Sequence, residues 1–354
     1  MTTPTIPTTM LAAVYQPGNQ RLVLDRNYPI RELEDNEILI KIAATGVCHS
    51  DVELLTGVSL DARKYVFGHE SCGYPVKLGS KVDSEAVQIG KLYSILPVDS
   101  CTHGVQGGPA LFNALGIGRD GAYADYIIVT ADTLVPVPEG VAPEVAAIAA
   151  DAGVTSYRAV QRAAQVKPGD KVLIFGIGGL GHLALQYAKH FGATVYACDF
   201  KPEARKLALE LGAVAAFDLI ELSNMTAATN PPDKRFTVDT TMDFVSNNQT
   251  FNLAMAALRP NDVNFPVKPK CVMVGVSAEN LVFSTLDTIA TGVQILGSTG
   301  GEQDDLAAVL DLFAKDVIHA HVSSEPLENI NKVLDELRAS AYTGRKVVIP
   351  HPAA

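Results

Sequence analysis

The chain has 354 residues, of which 47% are hydrophobic and 19% are charged, as expected for a globular protein of two domains. Its formal net charge of −11, without a basic patch, argues against a nucleic-acid or anionic-membrane partner. Scattered cysteines, no recognisable signal peptide and no apolar run long enough to cross a bilayer predict a cytoplasmic protein.

The first part of the chain is predicted to form short strands, because its apolar runs are repeatedly interrupted by Gly and Pro. Examples are residues 37–47, 91–98 and 122–138. Few helical periods occur before residue 150, so we expect an irregular β domain there.

After Lys167–Asp170 the pattern changes to strands and helices in alternation. Residues 171–175 predict a strand, 178–193 a helix that ends in Gly, and 194–200 another strand. The elements predicted further along are a helix at 203–213, a surface loop at 224–234, strands at 236–245, 270–277 and 293–299, a helix at 306–316 and a strand at 344–350. This alternation predicts a parallel sheet with helices on both faces.

A glycine-rich G-x-G-x-x-G stretch follows the strand at 171–175 and opens the next helix. Its glycines are Gly176, Gly178, Gly179 and Gly181, and Leu180 lies between the last two. They permit a tight turn and let a pyrophosphate approach the helix N-terminus. Asp199, at the end of the next strand, is placed to accept hydrogen bonds from an adenosine ribose. The pattern predicts NAD in preference to NADP, and the alternative is a helix–sheet turn without a ligand.

Three potential metal ligands lie far apart in the sequence. Cys48 occurs in GVCHSDVE, His69 in FGHESCG, and Asp151 in the apolar stretch AAIAADAGVT. Taken singly, a buried Cys is a small hydrophobic residue, and a lone His is more often a hydrogen-bonded core residue. Asp151 must either face water or lie beside positive charge, because an unpaired buried carboxylate is strongly unfavourable.

Four motifs occur in a characteristic order: GVCHSD at 46–51, GHE at 68–70, AGVTSYRA at 152–159 and GIGGLG at 176–181. With these motifs the chain resembles the zinc-dependent medium-chain alcohol dehydrogenases over nearly its whole length. The residue before AGVT is Asp151. The secondary-alcohol dehydrogenase branch of that family also has an Asp at this position, whereas many other members of the family have a Cys.

The resemblance implies an α/β fold of two domains. Residues 1–153, completed by 298–354, would form a GroES-like irregular β catalytic domain, and 154–297 a Rossmann coenzyme domain with a doubly wound parallel sheet. The implied reaction is reversible hydride transfer between a primary or secondary alcohol and NAD, giving an aldehyde or ketone. The alternatives are a zinc-free quinone or enoyl reductase of the same superfamily and a non-catalytic coenzyme-binding relative. Both typically lack this Cys and His.

By the same resemblance, Cys48, His69 and Asp151 would hold one catalytic Zn²⁺. A thiolate, a carboxylate and a neutral imidazole balance the charge of the ion, and three protein ligands leave the fourth position open. The alternative for Asp151 is a cap on the following helix, which needs no metal.

Three neighbouring residues take catalytic roles by resemblance. Ser50 would hydrogen-bond the substrate oxygen and carry its proton away, Glu70 would lie near the metal, and Asp51 would orient the His ligand. The alternatives are a helix N-cap for Ser50 and solvated surface charges for the two carboxylates.

The resemblance also assigns the remaining coenzyme contacts. His49 and Arg345 would bind the pyrophosphate, unless they are surface charges. The nicotinamide would lie between Thr155 and the loops at Val274–Ser277 and Gly297–Thr299, in which Val276 and Ser298 are the further contacts. The substrate pocket is expected around Leu96–Asp99.

Two features depart from the family pattern. The lobe that holds a structural zinc in other members corresponds to residues 101–126, where only Cys101 remains, so we expect no structural zinc. Glu53 stands where some members have a proton-relay His, and it either faces water or takes part in the relay. We expect a homo-oligomer, a dimer or tetramer, that acts on small alcohols, aldehydes or ketones.

Overall fold

The computed structural model divides into two compact units, which we call the first and the second unit. The structure describes residues 6–56, 63–98, 113–258, 268–277 and 279–351. The first unit consists of Met1–Asp151, Glu302–Lys315 and His321–Ala354, and the second of Ala152–Gly301 and Asp316–Ala320.

The strands are β1 (Thr9–Tyr15), β2 (Val23–Pro29), β3 (Glu37–Gly46), β4 (Tyr65–Val66), β5 (Ser71–Leu78), β6 (Tyr93–Ile95), β7 (Ala114–Leu115), β8 (Gly118–Arg119), β9 (Tyr126–Thr130), β10 (Leu134–Pro136), β11 (Lys171–Phe175), β12 (Thr194–Cys198), β13 (Ala215–Phe217), β14 (Thr240–Asp243), β15 (Lys270–Met273), β16 (Gln294–Gly297), β17 (Val322–Pro326) and β18 (Arg345–Ile349). The helices are α1 (His49–Thr56), α2 (Pro143–Ile148), α3 (Val154–Arg158), α4 (Gly181–His190), α5 (Pro202–Leu211), α6 (Leu219–Thr226), α7 (Asn248–Ala257), α8 (Thr285–Thr291), α9 (Gln303–Ala314) and α10 (Ile330–Arg338). Single π-helical turns occur at Ala149–Gly153 and Ala159–Ala164. None of the described helices is long and apolar enough to cross a membrane.

The first unit is built mainly from short antiparallel strands. Its largest sheet has the order β10-β6-β5-β3-β18-β17, and β9 also pairs with β3. The register of β3 against β5 shifts twice, as expected for irregular strands that bend around a core. Buried Ile38, Ile40 and Ile42 of β3 pack in one of the hydrophobic clusters of this unit. The predicted irregular β domain is therefore confirmed.

The second unit contains a six-stranded parallel sheet of order β13-β12-β11-β14-β15-β16. Counted along the chain, this is the 3-2-1-4-5-6 order of the doubly wound nucleotide-binding sheet. The central strand β11 is apolar and buried from Val172 to Phe175, because helices cover both faces of a parallel sheet. The predicted Rossmann architecture is confirmed.

Most predicted elements occur close to their predicted positions, although the strands predicted at 236–245 and 270–277 are shorter, and a helix and a loop also differ in their limits. The helix predicted at 178–193 begins at Gly181, because the preceding glycines form the turn. The loop predicted at 224–234 starts later, since α6 extends to Thr226, and a 3₁₀ turn occupies Pro232–Lys234.

The limits of the two units also differ from the domain limits proposed from the sequence. The units divide after Asp151 and after Gly301, and the short stretch Asp316–Ala320 belongs to the second unit. Gln186 of α4 explains that assignment. Its side-chain amide donates to the carbonyl of His319 at 2.9 Å, and its side-chain oxygen accepts from the His319 N–H at 2.8 Å.

Candidate metal centre and coenzyme turn

Three side chains from separate parts of the first unit converge on one point. Cys48 follows β3 and immediately precedes α1, His69 lies between β4 and β5, and Asp151 lies in a π-helical turn. One potential ligand atom from each, the Cys Sγ, a His ring nitrogen and an Asp oxygen, lies within 4.8 Å of the other two. Cys48 and His69 are buried, and the side chain of Asp151 is 18% exposed.

The π-helical turn explains how Asp151 enters this group and excludes its alternative role. The turn Ala149–Gly153 directly follows α2 and directly precedes α3, so Asp151 lies within a run of helical residues. A cap must stand at the start of a helix, and the residue before α3 is Gly153. The capping alternative for Asp151 is therefore wrong. Isolated π turns often occur where a helix presents a functional side chain.

His69 faces an acidic side chain from each of its ring nitrogens. Nδ1 lies 3.3 Å from Oδ1 of Asp51, and Nε2 lies 3.6 Å from Oδ2 of Asp151. The Oγ of Ser50 lies 3.2 Å from Nε2. Burial opposes a charge on the ring, but the carboxylates of Asp51 and Asp151 outweigh it and raise the pKa of His69 well above its usual range.

The Asp151 carboxylate is stabilised in its charged form. Burial favours the neutral acid, but the hydrogen bond and charge of His69, and then the charge of Arg345, lower the pKa of Asp151 to about 2. Its Oδ2 lies 3.5 Å from Nη2 of Arg345. This geometry answers the question raised by a carboxylate in an apolar stretch, because positive groups do lie beside it.

Glu70 and Arg345 form a buried ion pair beside this cluster. The Nε and Nη2 of Arg345 donate to Oε2 of Glu70 at 3.0 and 2.7 Å, and both side chains are almost fully buried. A Cβ on Gly46 would lie 2.2 Å from that Glu70 oxygen, so glycine leaves room for the carboxylate. The alternative of solvated surface charges is wrong for Glu70, for Asp51, which is also fully buried, and for Arg345.

Ser50 and its neighbours lie on α1. Ser50 is the second residue of this helix, which begins at His49, so the N-cap alternative does not hold. His49 is half-exposed, and its Nε2 lies 3.9 Å from Oε1 of Glu53. Glu53 thus pairs with its neighbour one turn away, at a partly exposed position.

Sequence reasoning missed a buried tyrosine behind the ligands. The hydroxyl of Tyr123 donates to Oδ2 of Asp51 at 2.6 Å, and Tyr123 is fully buried. An aromatic residue in a strand-rich stretch carries no signal for this contact. Only the fold brings residue 123 beside residue 51.

The donor set fits a zinc ion. Sulfur, imidazole nitrogen and carboxylate oxygen are the atoms that zinc binds in proteins, and tetrahedral coordination at about 2.0–2.3 Å requires ligand atoms about as close as the 3.6 Å between Nε2 of His69 and Oδ2 of Asp151. Nδ1 of His69 faces a carboxylate, which is the usual arrangement when the other ring nitrogen binds a metal.

The glycine-rich stretch of the second unit forms the turn between β11 and α4. Gly176 has a φ of +83°, a left-handed value that favours glycine. A Cβ on Gly181 would lie 1.8 Å from the carbonyl oxygen of Gly176, whereas a Cβ on Gly178 would meet no described atom within 4 Å. Gly181 therefore lets the turn close, and Gly178 leaves the space above it open. Gly179 and Leu180 complete the turn before the first residue of α4.

Asp199 follows β12 directly and is buried at the edge of this turn. One carboxylate oxygen accepts from the Ile177 N–H at 2.7 Å, and the other accepts from the Lys201 N–H at 2.9 Å. The carboxylate is thus held in place by two backbone donors. Each oxygen retains lone-pair capacity for a further donor.

Four further residues assigned to the coenzyme lie in the same unit, whereas His49 and Arg345 lie in the first unit. Val274 and Ser298 follow β15 and β16, at the same carboxyl edge of the sheet as Gly176 and Asp199. Val276 is 59% exposed in the loop after β15. Thr155 lies on α3, whose next residue, Ser156, donates to the Leu180 carbonyl at 2.9 Å, so α3 begins beside the turn.

Arg345 lies in the part of the chain that the sequence assigned to the catalytic domain. It belongs to the first unit and begins β18, and its described partners there are Glu70 and Asp151. Its role toward the coenzyme stays a prediction. Cys101 and Asp99, on which the expectations about the second zinc and the substrate pocket partly depend, lie outside the described residues.

Two family models match the chain. The alcohol dehydrogenase GroES-like domain matches residues 34–139, and the zinc-binding dehydrogenase model matches 179–315. An alcohol dehydrogenase from Geobacillus stearothermophilus is 34% identical over 320 residues, covering 88% of this chain and 91% of that protein. A second alcohol dehydrogenase from that organism is 32% identical, covering 90% of this chain and 92% of that protein.

Solved structures agree with this assignment over almost the full chain. Acetophenone reductase from Geotrichum candidum, solved in complex with NAD, has a TM-score of 0.85 at 29% identity and covers 98% of both chains. The alcohol dehydrogenase of Aeropyrum pernix has a TM-score of 0.82 at 29% identity, covering 96% of this chain and 100% of that one. The expected family is confirmed: the chain belongs to the zinc-type medium-chain alcohol dehydrogenases, with a GroES-like and a Rossmann domain.

Proposed function

We propose that the protein is an NAD-dependent alcohol dehydrogenase with one catalytic zinc, held by Cys48, His69 and Asp151. It interconverts a primary or secondary alcohol with the corresponding aldehyde or ketone. The observation that carries this proposal is the convergence of three zinc-compatible atoms within 4.8 Å, from residues far apart in the sequence. Chance rarely brings together a Cys, a His and an Asp whose charges balance a divalent cation.

A zinc ion bound there would act as a Lewis acid that lowers the pKa of an alcohol. Cys48 and Asp151 supply the negative charges of the site, and Asp51 holds the His69 ring through its Nδ1. Ser50 is the residue that we propose to accept the alcohol proton. Its Oγ lies 3.2 Å from Nε2 of His69, so its hydroxyl is already directed toward the ligand group.

The proposed coenzyme site uses the turn after β11. The N–H groups at the start of α4 and the open space over Gly178 suit a pyrophosphate. Asp199 is proposed to accept from the ribose hydroxyls and to repel a 2′-phosphate, which favours NAD. His49, Thr155, Val274, Val276 and Ser298 remain proposed contacts. The nicotinamide supplies and accepts the hydride, and the protein positions it.

Two observations favour this function over its alternatives. A zinc-free reductase or a non-catalytic relative has no need to preserve a charge-balanced donor set, and here all three donors converge. The similarity to an acetophenone reductase solved with NAD supports ketones and secondary alcohols as substrates. Asp151 in place of a Cys points in the same direction.

We also propose that the protein is a homo-oligomer. Apolar side chains of the second unit around α8 are largely exposed, with Val282 at 71%, Leu286 at 74% and Ile289 at 79%. Among the described strands, β16 stands at the end of its sheet, so its outer backbone groups can pair with β16 of a second copy. Light scattering should find a dimer or tetramer. Leu286→Lys should shift it toward monomer, unlike Ile220→Lys, which alters an equally exposed residue on α6.

Elemental analysis of the purified protein, paired with turnover assays, tests the proposed function. We expect one zinc per chain and activity on alcohols or ketones with NAD(H). Two zincs per chain would show that a structural site exists. Active protein with essentially no metal would support the zinc-free reductase, and metal-loaded protein without turnover on any alcohol or ketone would support a non-catalytic role.

A further inference from the structure

A buried carboxylate connects two of the proposed ligands. Oδ2 of Asp51 accepts from the backbone N–H of Cys48 at 3.1 Å, and Oδ1 faces Nδ1 of His69 at 3.3 Å. One side chain thus contacts both the backbone that carries the thiol and the ring that carries the imidazole nitrogen. Asp51 has no solvent exposure, so its orientation depends entirely on its protein partners.

Tyr123 is the partner that completes this arrangement. Its hydroxyl donates to Oδ2 of Asp51 at 2.6 Å, while the carbonyl of Gly46 lies farther away at 3.2 Å. A phenol has one proton, and the shorter contact to a charged acceptor takes it. Together with the Cys48 N–H, this donor directs Oδ2, and the planar carboxylate then presents Oδ1 to His69.

The tyrosine is itself held rigidly. Its N–H donates to the carbonyl of Phe67 at 2.8 Å, and its own carbonyl accepts from the N–H of Ala13 at 2.7 Å. A Cβ on Gly68 would lie 2.7 Å from the Tyr123 ring, so the ring packs against the residue that precedes His69. The φ of Gly68 is +96°, a value that also favours glycine. Little freedom remains for the phenol to move away from Asp51.

We propose that Tyr123 is a positioning residue for the metal centre, which acts through Asp51 to hold Cys48 and His69 in their ligand geometry. This inference rests on the proposed zinc site and adds to it a residue that acts on the ligands through Asp51. A phenylalanine would fill the same space but would leave Oδ2 with only the Cys48 N–H as a described donor. Loss of groups that orient metal ligands typically weakens metal affinity about 10- to 100-fold.

The test measures zinc affinity rather than turnover alone. Wild type and Tyr123→Phe are titrated with Zn²⁺ against a chelator of known affinity, and the visible spectrum of the Co²⁺-substituted protein reports ligand geometry. We expect Tyr123→Phe to bind Zn²⁺ about 10- to 100-fold more weakly, with an altered Co²⁺ spectrum. Binding of NADH to the second unit should stay within about twofold, because the described hydrogen bonds of Tyr123 are to residues of the first unit.

Tyr93→Phe is the matched control. Tyr93 is a buried tyrosine of the same unit, and its hydroxyl accepts from the Gln88 N–H at 3.1 Å and donates to the Ala86 carbonyl at 3.5 Å, so none of its described side-chain hydrogen bonds involves a proposed ligand. It should keep the fold and leave Zn²⁺ affinity unchanged. If both variants lose affinity equally, the role of Tyr123 is merely structural and the proposal is overturned.

Asp51→Asn provides a second, independent test. Because Tyr123 acts through the Asp51 carboxylate, Asp51→Asn alone should weaken Zn²⁺ binding at least as much as Tyr123→Phe. Adding Tyr123→Phe to Asp51→Asn should change affinity by less than about threefold. Full additivity overturns the proposal, and an Asp51→Asn variant with normal affinity does so even if Tyr123→Phe does not fold. Failure of the wild type to bind Zn²⁺ would instead refute the proposed metal site.

Discussion

The proposed binding sites of the two units consist of different chemical groups. In the first unit, charged side chains from separate stretches of the sequence meet in a buried cluster that includes Asp151, Arg345 and Glu70. In the second unit, the turn at 176–181 is made of consecutive residues, and what it offers a ligand is mainly backbone N–H groups and space. A charge cluster should therefore be damaged by neutralising one member, and a backbone turn by adding a Cβ.

The largest effect is expected at Asp151. Asp151→Asn keeps the shape of the side chain but removes one of two negative charges that balance Zn²⁺, so kcat/KM should fall by about 1,000-fold or more, with loss of bound zinc. Asp151→Cys restores both the charge and a zinc-compatible atom and should retain metal. Zinc content and steady-state kinetics provide the measurement. Normal zinc content in Asp151→Asn would show that Asp151 is not a ligand.

Arg345→Met tests the charge cluster through stability. It removes the two N–H donors that Arg345 directs at one oxygen of the fully buried Glu70 carboxylate, which should lower the free energy of unfolding by about 3–5 kcal/mol. The control is Arg31→Met, which breaks a pair with Glu37 whose arginine is 56% exposed, and it should lose about 1 kcal/mol or less. Urea unfolding of the two variants measures both losses in the free energy of unfolding. Equal losses would mean that burial does not distinguish the pairs.

Asp199→Ser tests the proposed preference of the second unit for NAD. The wild type should favour NAD over NADP by about 100-fold in kcat/KM, since a carboxylate repels a 2′-phosphate at close range. The variant should lose most of that preference. It should also bind NAD more weakly, because Asp199 accepts from the backbone of the glycine turn at Ile177. A wild type that prefers NADP, or an unchanged ratio in the variant, would contradict the proposed role.

Two glycine variants separate closure of the turn from space for the ligand. In Gly181→Ala the new Cβ collides with the carbonyl oxygen of Gly176, so we expect a loss of about 1–3 kcal/mol in stability. Gly178→Ala meets no described atom within 4 Å and should fold normally, yet weaken NADH binding about tenfold or more as the Cβ enters the pyrophosphate space. Thermal unfolding and NADH titration distinguish them. Normal NADH binding in Gly178→Ala would place the coenzyme elsewhere.

The smallest effect concerns pH and an ion pair at the surface. The hydrogen bond from Arg31 lowers the pKa of Glu37, so the pair stabilises the folded state above the usual glutamate pKa and loses that contribution as the pH falls through the lowered value. Between about pH 5 and pH 3, the chelator-treated wild type should lose up to about 1 kcal/mol more than Glu37→Gln. If the stabilities of the wild type and Glu37→Gln fall in parallel with pH, the ion pair contributes nothing to stability.

The coenzyme turn could be predicted almost completely from the sequence. The strand at 171–175, the glycines at 176–181 and Asp199 are close along the chain, and their spacing alone fixes a turn between a strand and a helix. The alternation that follows likewise predicted the parallel sheet, because strands buried on both faces have a distinctive apolar composition. In this unit, the residues that form the proposed coenzyme turn lie close together along the chain.

The candidate metal centre required the tertiary structure. The sequence supplied Cys48, His69 and Asp151 as potential ligands, but it could not distinguish a buried Asp51 or Glu70 from a solvated charge, since burial depends on what packs over a residue. Nor could it show that Arg345 lies against Glu70, or that the hydroxyl of Tyr123 meets Asp51, because these contacts join segments that are distant along the chain. Such contacts depend on how strands pair and bend, and the spacing of residues along the chain does not predict this pairing.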